Sequence, residues 1–572
     1  MLVIFFIIFA QLTHNSEEIF MYTDSLIANV AVCIKDNWDL PALSDYKKEP
    51  IYYREVAKQI AKIHLLFEQS GVEKGDKIVL CGRNCSAWAV IFFATITYGA
   101  VAVPLLHEFK SDSITHLVNH SDGKILFVGD VVWEGLIAEN MPKLSAIIQM
   151  QDFDLVGCND EKFKSVFDNL ESEFAKRYPL GFTKEDVNYQ RDNLDSLALI
   201  NYTSGTTSVS KGVMISYRAL LSNYMFACEV LPNLKPGDKV ISMLPMAHMY
   251  GLQFEVIFEF IRGIHIHFLT RIPSPKIVAE AFSRVKPDII ISVPLIIEKI
   301  YKTKLKPILD KKKMKLLLNT PIIDTMVKSK ILTTLTESFG GKFYEIIVGG
   351  AAFNREVETF FKKIGFPHTV GYGMTECAPI ICYADWKEHK LGSCGKVVPR
   401  MELKIDSADE TKIAGEILVR GANVMMGYYK NEEATKAVLD QDGWLHTGDL
   451  GIKDKDGNVY IKGRSKNMIL GQNGQNIYPE EIEDLLNSME LVNESLVKEE
   501  NGKLVALVYL DQDYLDTRNI TLSQEEIKNQ IKTQANQVLS AYEQLSAIYL
   551  QEEEFEKTPK RSIKRYIYMG NN

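Results

Sequence analysis

The sequence predicts a large N-terminal α/β domain with parallel sheets flanked by helices plus a β-rich subdomain, followed by a small α+β C-terminal domain. Three observations predict it. Short, continuous apolar runs alternate with helical patterns through the first 350 or so residues. After about Leu391 the texture changes to polar–apolar alternation. A chain of 572 residues is also longer than one hydrophobic core usually organises.

Taken in order, Val56, Ile60, Ile63 and Phe67 fall on one face of a helix running from Tyr53 to Ser70. "GVEKGDKIVL" turns into a strand at Ile78 to Leu80. "AWAVIFFATITYGA" is helical, and "VAVPL" (Val101 to Leu105) is the next strand. The runs "KILFVGD", "SAIIQM", "SLALINY", "KVISMLP", "GIHIHFL", "PDIIISVP" and "YEIIVGGA" continue the series. Strands this uniformly apolar are buried on both faces, as in parallel sheets. Downstream, "MELKID", "GEILVRG", "NVYIKGR" and "ALVYLD" alternate, which marks antiparallel, half-solvated sheet. "PEEIEDLLNSM" begins a helix with Pro479 in its first turn. These shifts divide the chain into residues 21–465 and 466–572.

Bulk numbers narrow the function. Hydrophobic residues are 46% and charged residues 24%, the proportions of a soluble globular protein. A net charge of -9 disfavours nucleic acid as a partner. The eight cysteines are scattered singly, without zinc or disulfide spacing, so a reducing, cytoplasmic setting is expected. Met1 to Ala10 is an apolar run about half the length of a membrane span, with no clear cleavage site. Met21 opens the ordinary globular sequence, and residues 1–20 are read as an upstream extension or a weak anchor.

"YTSGTTSVSKGV" (residues 202 to 213) follows the apolar run Leu197 to Ile200. Small hydroxyls, two glycines and a lysine at a strand end suit a phosphate cradle, or equally a polar surface loop. The Walker pattern does not fit, since Ser210 stands where its second glycine should be and Gly212 where its hydroxyl should be. Further stretches share this texture: "GGAAF" (349 to 353), "GYGMTECAP" (371 to 379), "GWLHTGDL" (443 to 450) and "KGRSKNMILGQNGQNIYPEEIE" (462 to 483).

In this order the stretches resemble the adenylate-forming superfamily of acyl-CoA synthetases, peptide-synthetase adenylation domains and luciferases. The resemblance runs from about Tyr53 to the C-terminus. "PDIIISVPLIIEKIY" (287 to 301) is similar to a segment of long-chain acyl-CoA synthetases. The resemblance implies an ATP-dependent fatty acid–CoA ligase that uses Mg²⁺, with CoA as co-substrate and a mobile C-terminal domain. Thr203, Ser204, Gly205, Thr206, Thr207 and Lys211 would then hold the β- and γ-phosphates. Glu376 would hold the metal and Thr375 would lie beside the α-phosphate. Tyr372 would stack on adenine, with Gly350 and Ala351 on its other side. Asp449, an acceptor only, suits the ribose hydroxyls, with Arg464 nearby. His248 matches the position beside the substrate carboxylate, and Lys466 matches the domain hinge.

Two departures stand out. Ser208 and Ser210 replace the glycine and proline of the usual phosphate loop. In "EKTPKRSIKRY" (556 to 566), Ser562 takes the place of the family's catalytic lysine, and Lys560 and Lys564 flank it on one side if the segment is extended. Either lysine is a candidate replacement. The basic stretch 302 to 318 is a candidate for peripheral membrane contact or a solvated face. Two rival readings remain beside the CoA ligase: an acyl-AMP ligase serving a carrier-protein thiol, and a non-catalytic nucleotide or lipid binder.

Overall fold

A computed structural model describes residues 23–203, 210–271, 274–309, 323–471, 475–518, 521–558 and 562–569. Ser204, Gly205, Thr206, Thr207, Lys560, the N-terminal apolar run and most of the basic stretch after Leu309 lie outside the described residues. The predicted helix over Tyr53–Ser70 and the strand Val101–Leu105 form with those bounds. Helix Tyr53–Ser70 ends at Gly71, whose φ of 81° is left-handed and favours glycine.

An eight-stranded sheet organises the first half of the chain. Its order runs Gly427–Tyr428, Lys211–Ser216, Leu197–Thr203, Val101–Leu105, Lys77–Cys81, Gly123–Val128, Ala146–Gln149, Leu155–Cys158. Its centre is parallel as expected. Both sides are antiparallel, because Leu155–Cys158 turns straight back on Ala146–Gln149 and Lys211–Ser216 turns straight back on Leu197–Thr203. The expectation of purely parallel sheet fails there for a simple reason: a short loop can only return a strand antiparallel.

A second, mostly parallel sheet joins Lys239–Ser242, His265–Phe268, Pro41–Asp45 and Ile51–Tyr52. A third, fully parallel sheet joins Ile290–Ser292, Ile346–Val348 and His368–Val370. Helix Ser86–Tyr98 is apolar nearly all round, with Trp88, Phe92 and Phe93 fully buried, as a helix enclosed by other elements must be. The antiparallel subdomain appears as Met401–Asp406, Gly415–Gly421, Leu445–Lys453 and Val459–Arg464.

The last part has its own core, from Ile477, Ile482 and Leu486 to Ile531 and Ile548. Its sheet pairs Val492–Glu500 with Lys503–Leu510 antiparallel, as the alternation predicts. The third strand, Ala547–Gln551, adds in parallel, with helix Gln524–Val538 lying between it and Lys503–Leu510 in the chain. Among the described residues no helix is long and apolar enough to cross a membrane. In the basic stretch, the ammonium of Lys306 lies 3.0 Å from Glu356 and that of Lys302 donates to the carbonyl of Asn487 at 3.4 Å. Those two charges are engaged within the protein.

Candidate active site

Three loops leave the carboxyl ends of strands Lys239–Ser242, Ile346–Val348 and His368–Val370 and converge on one cleft of about 3090 Å³, which Thr203 at the end of Leu197–Thr203 also lines. Open α/β sheets bind ligands at this end of their strands. The cleft is several times larger than a single small-ligand pocket and has room for a nucleotide and a second substrate together.

Thr203 and Lys211 are direct cross-strand partners. The Thr203 hydroxyl donates to the Lys211 carbonyl at 3.4 Å. The Lys211 ammonium lies 4.8 Å from the centroid of the Tyr428 ring, within cation–π range. The middle of the predicted phosphate cradle is outside the described residues.

Gly350 has φ of 88°, a conformation that strains any residue with a Cβ. It turns the chain so that Ala351 follows on the cleft wall. A Cβ on Gly373 would lie 2.2 Å from the Pro379 carbonyl oxygen. Only glycine permits this tight closure of Tyr372–Gly373 on Ile380–Tyr383, which presents the turn Thr375–Cys377. Within that turn Thr375 is buried and Glu376 half-buried at the cleft.

Asp449 and Arg464 face each other across adjacent strands. Arg464 Nε lies 2.8 Å from Asp449 Oδ1, and the Tyr372 hydroxyl donates to Oδ2 at 2.6 Å. Asp449 is 5% exposed. Burial raises its pKa above the ordinary aspartate range, while Arg464 and Tyr372 pull the other way. Burial also raises the Tyr372 phenol well above its usual value.

His248 caps the short helix Met249–Gly251 and lines the cleft half-buried. A network beneath it holds its loop. Glu255, fully buried on a π-helical turn, accepts from Ser242 Oγ at 3.1 Å, Met243 N and Leu244 N. Asn84 adds bonds to the Leu244 carbonyl at 2.6 Å and from Met246 N at 2.9 Å.

The described part of the C-terminal segment, residues 556–558 and 562–564, pairs with itself through its backbone. In it Lys557 bridges Ile563, Thr558 N donates to Ser562 O at 2.8 Å, and Lys564 N to Glu556 O at 2.8 Å. Lys564 and Ser562 do line the cleft, yet the Lys564 ammonium pairs with Glu556 at 3.1 Å. Lys466 sits in the turn Ser465–Asn467 on the same cleft.

Thus Thr203, Lys211, His248, Gly350, Ala351, Tyr372, Thr375, Glu376, Asp449, Arg464, Lys466 and Lys564 share one cleft. Sequence reasoning missed Tyr428, whose hydroxyl donates to Glu376 Oε1 at 2.9 Å. It also missed Glu255 and Asn84. A buried acid in an apolar run, as Glu255 is, was the only available signal.

No group of three or more His, Cys, Asp or Glu side chains fit for a metal occurs among the described residues. That excludes a closed protein cage there, but Mg²⁺ beside a nucleotide needs one or two carboxylates plus phosphate oxygens and water. Glu376 at the cleft wall fits that requirement.

Residues 32–429 match the protein family described as AMP-binding enzyme. The chain is 28% identical over 488 residues to the long-chain-fatty-acid–CoA ligase FadD15 of Mycobacterium bovis, covering 80% of this chain and 77% of that protein. It is 30% identical over 492 residues to long-chain-fatty-acid–CoA ligase 5 of Rattus norvegicus, covering 77% and 67%. Its fold matches ATP-bound MatB from Rhodopseudomonas palustris with a TM-score of 0.73 at 22% identity, covering 95% and 98% of the two chains. It matches the anthranilate–CoA ligase AuaEII with a TM-score of 0.77 at 20% identity, covering 95% and 96%. The strand-end cleft, its paired glycine turns and the family match lead to one statement: this chain is a member of the AMP-binding enzyme family.

Proposed function

We propose that this protein is an AMP-forming fatty acid–CoA ligase. In the first step a fatty-acid carboxylate oxygen attacks the α-phosphorus of ATP, and pyrophosphate leaves. In the second, the CoA sulfur attacks the acyl carbon of the adenylate, and AMP leaves. The observation that carries the substrate class is an apolar wall continuous with the polar cleft. Phe226, Ala227 and Val230 from helix Tyr217–Val230, with Leu231 just past its end, face it together with Phe254 and Phe258. A nucleotide alone has no use for such a wall, whereas an acyl chain loses water against it.

Asp449 and Arg464 would receive the ribose, Tyr372 the adenine face, and Lys211 and Thr203 the distal phosphates. Glu376 would hold Mg²⁺, which when bound neutralises phosphate charge as two anions approach. Thr375 donates near the α-phosphate and His248 orients the incoming carboxylate. Residues 466–572 would act as a mobile domain hinged at Lys466. The long-chain ligases it resembles support CoA as acceptor over a carrier protein. Pyrophosphate release measured over fatty acids of graded length, with and without CoA, tests this reading. Acyl-CoA should form with long chains; release without any acyl-CoA product would favour the carrier-protein reading instead.

A further inference from the structure

Tyr428 joins the two charged ends of the site. It lies in the short edge strand Gly427–Tyr428, antiparallel to Lys211–Ser216, with Tyr428 opposite Val213. The flanking bonds Met426 N to Met214 O at 2.9 Å and Tyr429 N to Gly212 O at 2.7 Å pin that strand in register. Its own backbone N–H donates to Thr435 Oγ1 at 2.9 Å. The residue is 7% exposed. On one side its hydroxyl donates to Glu376 Oε1 at 2.9 Å; on the other its ring lies beneath the Lys211 ammonium at 4.8 Å. A second tie, Met425 N to Glu376 O at 2.8 Å, binds the same turn to the backbone of Glu376.

We propose that Tyr428 is a positioning residue that orients the Glu376 carboxylate for the divalent cation accompanying ATP, and Lys211 for the phosphates. This rests on the reading of Glu376 as the metal carboxylate. A glutamate has three rotatable bonds, and fixing them before a cation arrives removes the entropy otherwise lost on binding. A hydrogen bond from a buried phenol to an ionised carboxylate is charge-assisted and directional. It occupies Oε1, and among the described residues Oε2 accepts no hydrogen bond. The ring supplies the second restraint, since a cation over a buried aromatic face is held in place. One rigid side chain thereby sets the spacing between the carboxylate and the ammonium.

The test compares Tyr428→Phe, Tyr428→Leu and Glu376→Gln in the full chain. Mn²⁺ binding is read by electron paramagnetic resonance with a non-hydrolysable ATP analogue, and Mg²⁺ dependence by pyrophosphate release. Tyr428→Phe keeps the ring and loses the hydroxyl. It should weaken Mn²⁺ binding and raise the half-saturating Mg²⁺ about tenfold, the worth of one hydrogen bond to a charged group. Its Tm should stay within about 2 °C, and excess Mg²⁺ should restore most of the rate. Tyr428→Leu should add a rise of a few-fold in the KM for ATP as Lys211 loses its support. If Glu376→Gln loses Mn²⁺ while Tyr428→Phe binds it normally, the positioning role is overturned and the metal assignment stands. If Glu376→Gln also binds Mn²⁺ normally, both are overturned.

Discussion

The Tyr372 hydroxyl and Arg464 Nε divide the two oxygens of Asp449 between them, at 2.6 and 2.8 Å. Asp449 is thereby held charged-paired in a place where burial opposes its charge. Ribose hydroxyls entering the cleft would exchange with one of these partners, and Arg464, on the open side, is about half exposed. Asp449→Ala removes the shared acceptor and strands a phenol and a guanidinium, at a cost of roughly 1.5–3 kcal/mol. The expected outcome is a KM for ATP raised ten- to a hundredfold. Tyr372→Phe keeps the ring for stacking and should raise it less than about fivefold. A reversed order of these two effects in steady-state kinetics would remove Asp449 from the ribose site.

Glu255 makes stability depend on pH. Burial pushes its pKa from 4.5 up to about 8, against the backbone N–H groups of Met243 and Leu244. Between those values the folded protein holds a proton that the unfolded chain has released. Stability from this group therefore falls as pH rises through the window. Glu255→Gln is neutral throughout, so its stability relative to the parent should rise from pH 5 to pH 8 by on the order of a few kcal/mol. Urea unfolding at pH 5, 6.5 and 8 measures it. A constant difference would mean that the carboxylate is ionised in the fold across this range.

The two lysines flanking Ser562 should behave differently. Lys564 is paired with the exposed Glu556, and breaking such a surface pair costs less than about 1 kcal/mol. Lys564→Ala should therefore adenylate within about threefold of the parent. Lys560→Ala should lose pyrophosphate release by about a hundredfold or more, as expected for a charge-stabilising group. Normal adenylation by both variants and by the double variant would show that the replacement for the missing lysine lies elsewhere.

Lys466→Pro probes the domain boundary. The turn Ser465–Asn467 follows strand Val459–Arg464; Lys462 pairs with Glu481 across it at 2.8 Å, and Asn467 within it donates to Glu480 at 2.6 Å. Proline locks φ near −65° and removes the rotation that a hinge must make. Single-turnover kinetics should show thioester formation slowed far more than the adenylation half-reaction. Equal losses in both, or none, would count against a hinge at Lys466.

Much of this protein is legible along the chain. The helix over Tyr53–Ser70, the strand Val101–Leu105 and the antiparallel pattern after Leu391 are local, because apolar spacing and turn residues act within a few positions. The motifs carrying Thr203, Tyr372, Glu376 and Asp449 are equally local, since each is a short run of the chain recognisable by its own glycines, hydroxyls and acids. What lies beyond the sequence is which loops touch. Tyr428 reaches Glu376 only because a two-residue strand pairs with Lys211–Ser216, more than 200 positions earlier. Glu255 supports the loop of His248 only through a π-helical turn packed under it. Lys564 meets Glu556 because the backbones around Lys557 and Ile563 pair. Periodicity and turn chemistry decide the elements; long-range pairing and burial, which depend on the whole packed chain, decide the partners of each charge.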